Sequence, residues 1–339
     1  MSDPAKVVGH AGIYLKSYLA PLTDVLARTD VTDIYVNRPG EIWVETIAGE
    51  IERHEAPRLD EPTLARLSRQ IAAFSSQGIS REHPLLSATL PDGARVQIVA
   101  PPATRGAIAL AIRKHVSPDL SLDDYVSAGA FDETLRGTAD RSKADELLAD
   151  KLAKADIAGM LRGAVVARRN ILVSGGTSTG KTTFLNALLR EIPPQERLIF
   201  IEDTPELYVR HANSVGLIAA RSALGEAMVS ANDLLAASLR MRPDRIILGE
   251  LRGEEAFAFL RAVNTGHPGS MSTIHADNAQ SAIEQIVLLA LQAGTQLNRD
   301  DVRHYVASTV DVFVHLDRVA GKRRIAEIML PSRSNVRRN

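Results

Sequence analysis

Two spacings of hydrophobic residues divide the chain into two regions. In the first third, short segments alternate apolar and polar residues, as in TDIYVN, EIWVETIAGEI, SATLPDGARVQIVAPP and AIALAIRKHV. A period of two is typical of half-buried strands. Between them, Leu64, Leu67 and Ile71 recur at helical spacing and predict one helix over residues 61–77 that covers the sheet. We therefore expect a small α+β domain at residues 1–115.

Further along the chain, compact apolar runs alternate with helical segments. The runs NILVSG, RLIFIED, SVGLIAA, RIILGE and GSMSTIHA predict strands, and TTFLNALLR, SANDLLAASLR and EEAFAFLRAV predict helices between them. This alternation is typical of an α/β fold with a mainly parallel sheet and helices on both faces. We predict such a domain over residues 158–339, closed by a hairpin around Ala320 and Gly321.

The segment between these regions, residues 116–157, has a different composition. Ten acidic and five basic residues lie between Val116 and Asp156, with few strand-forming residues. Such a charge pattern favours short, solvated helices. We interpret the segment as an interdomain linker, either a hinge or a plain connector. The basic end from Arg333 to Asn339 is expected to be a frayed tail.

The composition narrows the class of protein. Among the 339 residues, 45% are hydrophobic and 24% are charged, which is ordinary for a globular protein. There is no cysteine, which excludes disulfide frameworks and Cys-based zinc sites. No apolar stretch approaches the ~20 residues that span a bilayer, so we expect no transmembrane segment and a cytoplasmic protein. A net charge of -1 and 4% aromatic residues give no reason to expect direct nucleic-acid binding.

The segment NILVSGGTSTGKTT joins an apolar strand to a helix through a glycine-rich loop. It fits the pattern G-x-x-x-x-G-K-[ST], in which backbone N–H groups and a helix N-terminus face a phosphate. A glycine turn without nucleotide is the alternative, which the flanking strand and helix disfavour. Lys181 would reach the β- and γ-phosphates, and the Thr182 hydroxyl would ligate Mg²⁺. The predicted nucleotide-binding residues are Gly175, Gly176, Thr177, Ser178, Thr179, Gly180, Lys181, Thr182 and Thr183.

Acidic residues follow two more predicted strands on the phosphate side. IEDTPE places Glu202, Asp203 and Glu206 after LIFI, and RIILGELR places Glu250 at the end of an apolar run. Hydrolysis of a nucleoside triphosphate needs one carboxylate near Mg²⁺ and another that orients the attacking water. A lone strand-end acid is more often a helix cap or a surface charge. Two of them in one P-loop domain favour catalytic roles.

The segment TGHPGSMSTIHA adds two histidines, His267 and His275. Since they lack a third ligand at metal-binding spacing, we do not favour a metal site. A γ-phosphate sensor or a hydrogen bond to a catalytic acid is the better interpretation, and His275 is a catalytic candidate. Residues 264–269 could instead form a plain turn.

Taken together and in this order, GGTSTGKTT, IEDTPEL, LRMRPDRIILGELRGEEA and TGHPGSMSTIHAD resemble the Walker A, Asp, Walker B and His boxes of the secretion-ATPase superfamily. Within it, the chain is most similar to the type IV secretion traffic ATPases, helped by TDIYVNRPGEIWVE. The resemblance implies a RecA-like ATPase domain after the N-terminal domain, with ATP and Mg²⁺ as cofactors. It also implies a homohexamer, peripherally associated with other secretion-machinery components at the inner membrane.

The same resemblance implies roles for individual residues. Glu202 matches the Asp-box glutamate that polarises water, and Glu250 matches the Walker B glutamate linked to Mg²⁺, either directly or through water. Gly249 stands where many P-loop enzymes carry an aspartate, which leaves the division of roles between the two glutamates open. Arg95 and Arg113 match N-domain arginines that approach the γ-phosphate, where a guanidinium stabilises charge on the transferred group.

The function favoured by these features is an ATP-driven motor that powers substrate translocation or pilus biogenesis in a type IV secretion system. A type IV pilus or type II secretion motor is the first alternative, although type II enzymes usually carry a four-cysteine zinc insertion. A RecA-like DNA translocase is disfavoured by the His and Asp boxes. A nucleotide-dependent scaffold without turnover is disfavoured by Glu202 and Glu250.

Overall fold

The computed structural model describes residues 14–116, 121–132, 143–220 and 225–331. They form a six-stranded antiparallel sheet followed by a seven-stranded, mainly parallel sheet. The predicted fold class, a mainly parallel α/β domain preceded by a smaller α+β domain, is confirmed. The predicted frayed tail from Arg333 lies outside the described residues. No helix in the described ranges is long and apolar enough to cross a membrane.

The N-terminal sheet is covered by helices on one face. Its order is β3-β2-β1-β6-β5-β4, formed by β1 (Val31–Val36), β2 (Gly40–Thr46), β3 (Ile51–Ala56), β4 (Leu85–Thr89), β5 (Arg95–Val99) and β6 (Ala109–Arg113). Helix α1 (Thr23–Ala27) precedes the sheet, and helix α2 (Glu61–Phe74) buries Leu64 and Leu67 against it, as predicted. The Asp60 carboxylate starts α2 by accepting the Thr63 N–H at 2.8 Å.

Strand β3 is absent from the sequence prediction, which treats EIWVETIAGEI as one strand. The chain instead turns after Thr46, where the Gly49 N–H donates to the Thr46 carbonyl at 2.9 Å. It then returns as β3, an edge strand whose residues are exposed or half-buried except Ala56. An edge strand with this exposure needs few apolar residues, so it gives no hydrophobic signal.

The described residues of the segment interpreted as a linker include two helices. Helix α3 (Leu122–Ser127) begins with a capping box at Ser121 and buries none of its side chains. Helix α4 (Lys143–Ala153) packs instead on α5 (Ile157–Val166), with Leu148 inside the hydrophobic core. The part of the segment near α5 is therefore anchored to the second domain, whereas α3 is solvated.

The second sheet has the order β13-β12-β7-β11-β10-β8-β9. All neighbours are parallel except β13, which forms the predicted closing hairpin with β12. The strands are β7 (Ile171–Gly175), β8 (Leu198–Glu202), β9 (Ser214–Ile218), β10 (Arg245–Leu251), β11 (Met271–Ile274), β12 (Val312–Val319) and β13 (Lys322–Met329). Because β7, β11, β10 and β8 are parallel neighbours, their carboxyl ends meet at one edge of the sheet.

Helices cover both faces of this sheet. Helices α5 and α6 (Lys181–Leu189) pack on one face, where Val173 and Phe200 are buried. The opposite face, with Leu172 and Ile199, packs on the other four helices. These are α7 (Ala231–Ser238), α8 (Glu255–Asn264), α9 (Ala279–Gln292) and α10 (Arg299–Thr309).

The N-terminal domain docks on the edge strand β9. The Ile218 N–H donates to the Ala103 carbonyl, and the Arg105 N–H donates to the Gly216 carbonyl, both at 2.9 Å. These bonds satisfy backbone groups that an open sheet edge would leave without partners. The second face of the N-terminal sheet, including Tyr35, continues into the core of the second domain.

Arg197, the residue before β8, joins the two domains through contacts with Tyr35 and Asn37. Its fully buried guanidinium lies 3.9 Å from the centre of the Tyr35 ring. It donates to the side-chain oxygens of Asn37 at 2.7 Å and Asn213 at 2.5 Å, and to the Met241 carbonyl at 2.9 Å. Burial lowers the pKa of Arg197 to about 10, so the side chain stays charged at neutral pH.

We expect Arg197→Met to destabilise the protein, because it keeps the side-chain stem but removes the donor to the Met241 carbonyl and the Asn37 side-chain oxygen. The free energy of unfolding should fall by about 2–4 kcal/mol. Urea denaturation followed by tryptophan fluorescence measures this, since Trp43 lies in the docked domain. Arg162→Ala, which removes an exposed ion pair with Glu191, is the matched control and should unfold at the parental urea concentration. Equal midpoints for both variants would contradict the role given to Arg197.

Candidate active site

A cleft of about 360 Å³ opens at the carboxyl ends of β7, β8, β10 and β11. Four motifs that are separate in the sequence meet there because their strands are neighbours. Glu202, Glu250 and His275 all line it. Seven of the nine predicted loop residues also line it, namely Gly176, Thr177, Ser178, Gly180, Lys181, Thr182 and Thr183.

The glycine-rich loop leaves a helix terminus open to the cleft. Gly180 is the N-cap of α6, with a left-handed φ of 93° that suits glycine, and no side chain caps the helix. The first N–H groups of α6 therefore lack a side-chain acceptor and can bind phosphate oxygens. The other two predicted residues shape the loop, since Thr179 donates to the Gly176 carbonyl at 2.9 Å and the Gly175 carbonyl accepts from Lys181.

Lys181 is held in place by backbone carbonyls of the phosphate loop. Its Nζ donates to the carbonyls of Gly175 and Gly176 at 3.0 and 3.2 Å. It also lies 3.3 Å from His275 Nε2 and 3.9 Å from Glu250 Oε1. Burial lowers the pKa of Lys181, while the charge of Glu250 acts in the opposite direction. The ammonium group is thus buried at the base of the phosphate loop.

Glu250 lies at the centre of the charged network. Its Oε1 is 3.0 Å from His275 Nε2, and its Oε2 accepts from Arg252 Nε. Arg252 also donates to Asp203 at 2.6 Å. Arg252 of the Walker B segment therefore pairs with both Glu250 and Asp203.

Glu202 is buried at the end of β8, and both of its oxygens have partners. Oε1 accepts the N–H groups of Glu206 at 2.8 Å and Leu207 at 2.9 Å, and Oε2 forms an ion pair with Arg105. Gly249 leaves the space that this side chain needs, since a Cβ there would lie 3.1 Å from Glu202 Cγ. An aspartate at position 249 would crowd Glu202, which explains the glycine physically.

The side-chain oxygen atoms around Thr182 are suitable ligands for a hard divalent cation. The Thr182 hydroxyl donates to Glu206 Oε2 at 3.2 Å, and Glu250 lines the same cleft. Within the described part of the chain, no group of three or more His, Asp or Glu side chains is placed to hold a metal. Mg²⁺ typically binds through one or two protein oxygens, water and substrate phosphates, and these residues fit that mode.

Arg95 and Arg113 lie in a different part of the molecule. They are paired across β5 and β6 and line a second cleft, of about 640 Å³, with Leu239 and Arg240. Arg113 Nε donates to Asp33 at 2.9 Å. Neither arginine is among the described residues that line the P-loop cleft. His267 is also outside it, with Nδ1 2.9 Å from the Pro243 carbonyl.

Two arginines that sequence reasoning missed reach the cleft region instead. Arg323 of β13 lines the cleft and lies over the phosphate loop, with Cδ 3.0 Å from where a Cβ on Gly180 would be. Arg105 reaches Glu202 from the N-terminal domain. Neither has a local sequence signal, because its position depends on strand pairing or domain docking.

Comparison with known proteins agrees with the boxes recognised in the sequence. Residues 16–329 match the model of the family described as type II/IV secretion system protein. The type IV secretion system protein VirB11 of Bartonella henselae is 39% identical over 324 residues, covering 91% of each chain. The PtlH homolog of Bordetella bronchiseptica is 41% identical over 319 residues, covering 92% of this chain and 93% of that protein.

A solved structure extends the similarity to the fold. The crystal structure of the VirB11 ATPase from the Brucella suis type IV secretion system, in complex with sulphate, has a TM-score of 0.89. It is 37% identical and covers 96% of both chains. The resemblance to type IV secretion ATPases is thereby confirmed, and this chain belongs to the type II/IV secretion system protein family.

Proposed function

We propose that this chain hydrolyses ATP to ADP and phosphate as the motor subunit of a type IV secretion system. The observation that carries the proposal is the meeting of Lys181, Glu202, Glu250 and His275 in one cleft beside an uncapped helix terminus. A phosphate loop alone would serve any nucleotide-binding protein. Two carboxylates at adjoining strand ends supply the groups that hydrolysis requires.

Nucleotide binding uses groups that are already in position. The N–H groups of the loop and Lys181 bind the β- and γ-phosphates, and Arg323 adds a second cation. Arg323 lines the cleft with its side chain over Gly180, where its charge would face an incoming phosphate. Thr182 and Glu250 would hold Mg²⁺, which neutralises charge on the phosphate oxygens.

The two glutamates then take different roles. Glu202 orients the attacking water, since its buried carboxylate is fixed by two backbone N–H groups. Glu250 lies within reach of Lys181 and His275, on the phosphate side of the network. His275 is half-exposed between the cleft and Glu250, where it can report on the γ-phosphate.

We further propose a homohexamer that works with other secretion-machinery components at the inner membrane. Its support is the similarity to type IV secretion proteins. Arg95 and Arg113 line a cleft separate from the phosphate loop. We propose that in a ring these arginines of one subunit act on the ATP of its neighbour, because a guanidinium stabilises the charge of the transition state.

Lys181→Ala should reduce ATP hydrolysis by roughly 100-fold or more, because it removes the buried cation nearest the transferred phosphate. Steady-state phosphate release on the assembled protein measures this. Lys154→Ala removes an exposed lysine that pairs with Asp150 and serves as the control. Parental turnover in Lys181→Ala would rule out this loop as the catalytic phosphate site.

Glu202→Gln and Glu250→Gln should each keep ATP binding but lose turnover, since neither carboxylate cradles the α- and β-phosphates. A fluorescent ATP analogue measures binding, and phosphate release measures turnover. Mg²⁺ titration separates the roles, because only Glu250→Gln should need a higher Mg²⁺ concentration. Glu191→Gln is the surface control. If both variants turned over ATP normally, the assignment of these glutamates would be wrong.

Arg113→Ala and Lys181→Ala should restore some activity when they are mixed before ring assembly. If Arg113 acts on the neighbour's ATP, roughly a quarter of the junctions in a mixed ring join an intact loop to an intact arginine. The measurement is ATPase rate after unfolding and refolding the two variants together. Recovery in the mixture supports action between subunits, whereas no recovery would place Arg113 within its own subunit or outside catalysis.

A further inference from the structure

We propose that Arg105 is a positioning residue for Glu202, through which the docked N-terminal domain makes the water-orienting carboxylate competent for hydrolysis. The inference rests on the proposed function, because it takes Glu202 as the residue that orients water. It assigns to the N-terminal domain a direct contact with a catalytic side chain of its own chain.

Arg105 reaches Glu202 by crossing the edge of the second sheet. Its backbone N–H donates to the Gly216 carbonyl of β9 at 2.9 Å. One guanidinium nitrogen donates to the Leu207 carbonyl at 2.9 Å, and another forms the ion pair with Glu202. The Arg105 side chain is 20% exposed and that of Glu202 only 2%. The pair is therefore a largely buried interdomain contact, unlike a surface ion pair.

Gly216 leaves the space through which Arg105 passes. A Cβ at Gly216 would lie 2.5 Å from Arg105 Cδ and 2.8 Å from its Cγ. Gly216 does not have a positive φ, so an alanine there meets no backbone strain. Glycine is therefore needed at position 216 for space alone. A substitution at Gly216 tests the same contact without changing Arg105 itself.

The contact acts on the second oxygen of the Glu202 carboxylate. Glu202 Oε1 accepts two N–H groups, from Glu206 and Leu207, and Arg105 is the ionic partner of Oε2. Burial without a partner favours a protonated carboxyl group, whereas an adjacent guanidinium favours the ionised form. Arg105 therefore fixes the direction of the carboxylate and places a positive charge beside Oε2. Other charged or titratable groups line the same cleft, namely Lys181, Asp203, Glu206, Glu250, Arg252, His275 and Arg323.

The test compares Arg105→Ala, Arg105→Lys and Gly216→Ala in the full chain. Arg105→Ala should lower kcat by about 10- to 100-fold and leave KM for ATP within about threefold, because the contact acts on water and not on phosphate binding. In a plot of kcat against pH, the acid limb of this variant should move to higher pH, because an unpaired buried carboxylate has a raised pKa. Gly216→Ala should have the same effects on kcat, KM and the pH profile as Arg105→Ala. Arg105→Lys should recover part of kcat.

The control is Arg81→Ala, which removes an exposed interdomain ion pair with Glu226. It should leave kcat and the pH profile unchanged. Parental kcat with an unshifted acid limb in Arg105→Ala would overturn the proposal. So would a raised KM at constant kcat, which indicates nucleotide binding, or a raised kcat, which indicates inhibition.

A second measurement does not depend on activity. Hydrogen exchange without nucleotide should speed up at the Glu206 and Leu207 amides in Arg105→Ala, because their acceptor loses its anchor. The Ile218 amide, which reports on docking, should stay protected. If the Ile218 amide also exchanges faster, Arg105→Lys distinguishes a positioning role from a loss of docking. A positioning role requires that this variant recover both amide protection and kcat. Unchanged exchange at Glu206 and Leu207 would overturn the proposal, and a wild-type chain without ATPase activity would instead overturn the proposed function.

Discussion

The pairing of residues 103–105 with edge strand β9 is the contact on which the arrangement of the whole molecule depends. It closes a sheet edge whose backbone groups would otherwise have no partners. It brings the Tyr35 ring over the buried Arg197 guanidinium and Arg105 to Glu202. One stretch of backbone pairing therefore sets both the domain orientation and the surroundings of a candidate catalytic carboxylate.

Side chains of opposite charge are paired with one another in the cleft. Glu250 is surrounded by Lys181, His275 and Arg252, and Arg252 also binds Asp203. These contacts join groups that follow three different strands, β8, β10 and β11, to the lysine of the phosphate loop.

Most elements follow from local patterns, and so does the identity of the phosphate loop. Helix α2 and the central strands were predicted because burial imposes a period of 3.6 or an apolar run. Strand β3 was missed because an edge strand has little to bury. The charge pattern of helix α4 predicts a linker, yet Leu148 anchors the helix to the second domain. A few buried residues decide packing without changing the average composition of a segment.

The sequence by itself determined the two-domain α/β architecture, the glycine-rich loop and the acids that end strands, because each depends on residues close together in the chain. Only the tertiary structure decided which side chains meet. It placed Arg95 and Arg113 in a separate cleft and brought Arg105 to Glu202 and Arg323 to Gly180. These contacts join residues far apart in the chain, and their geometry is set by strand order and domain docking, which leave no periodic trace in the sequence.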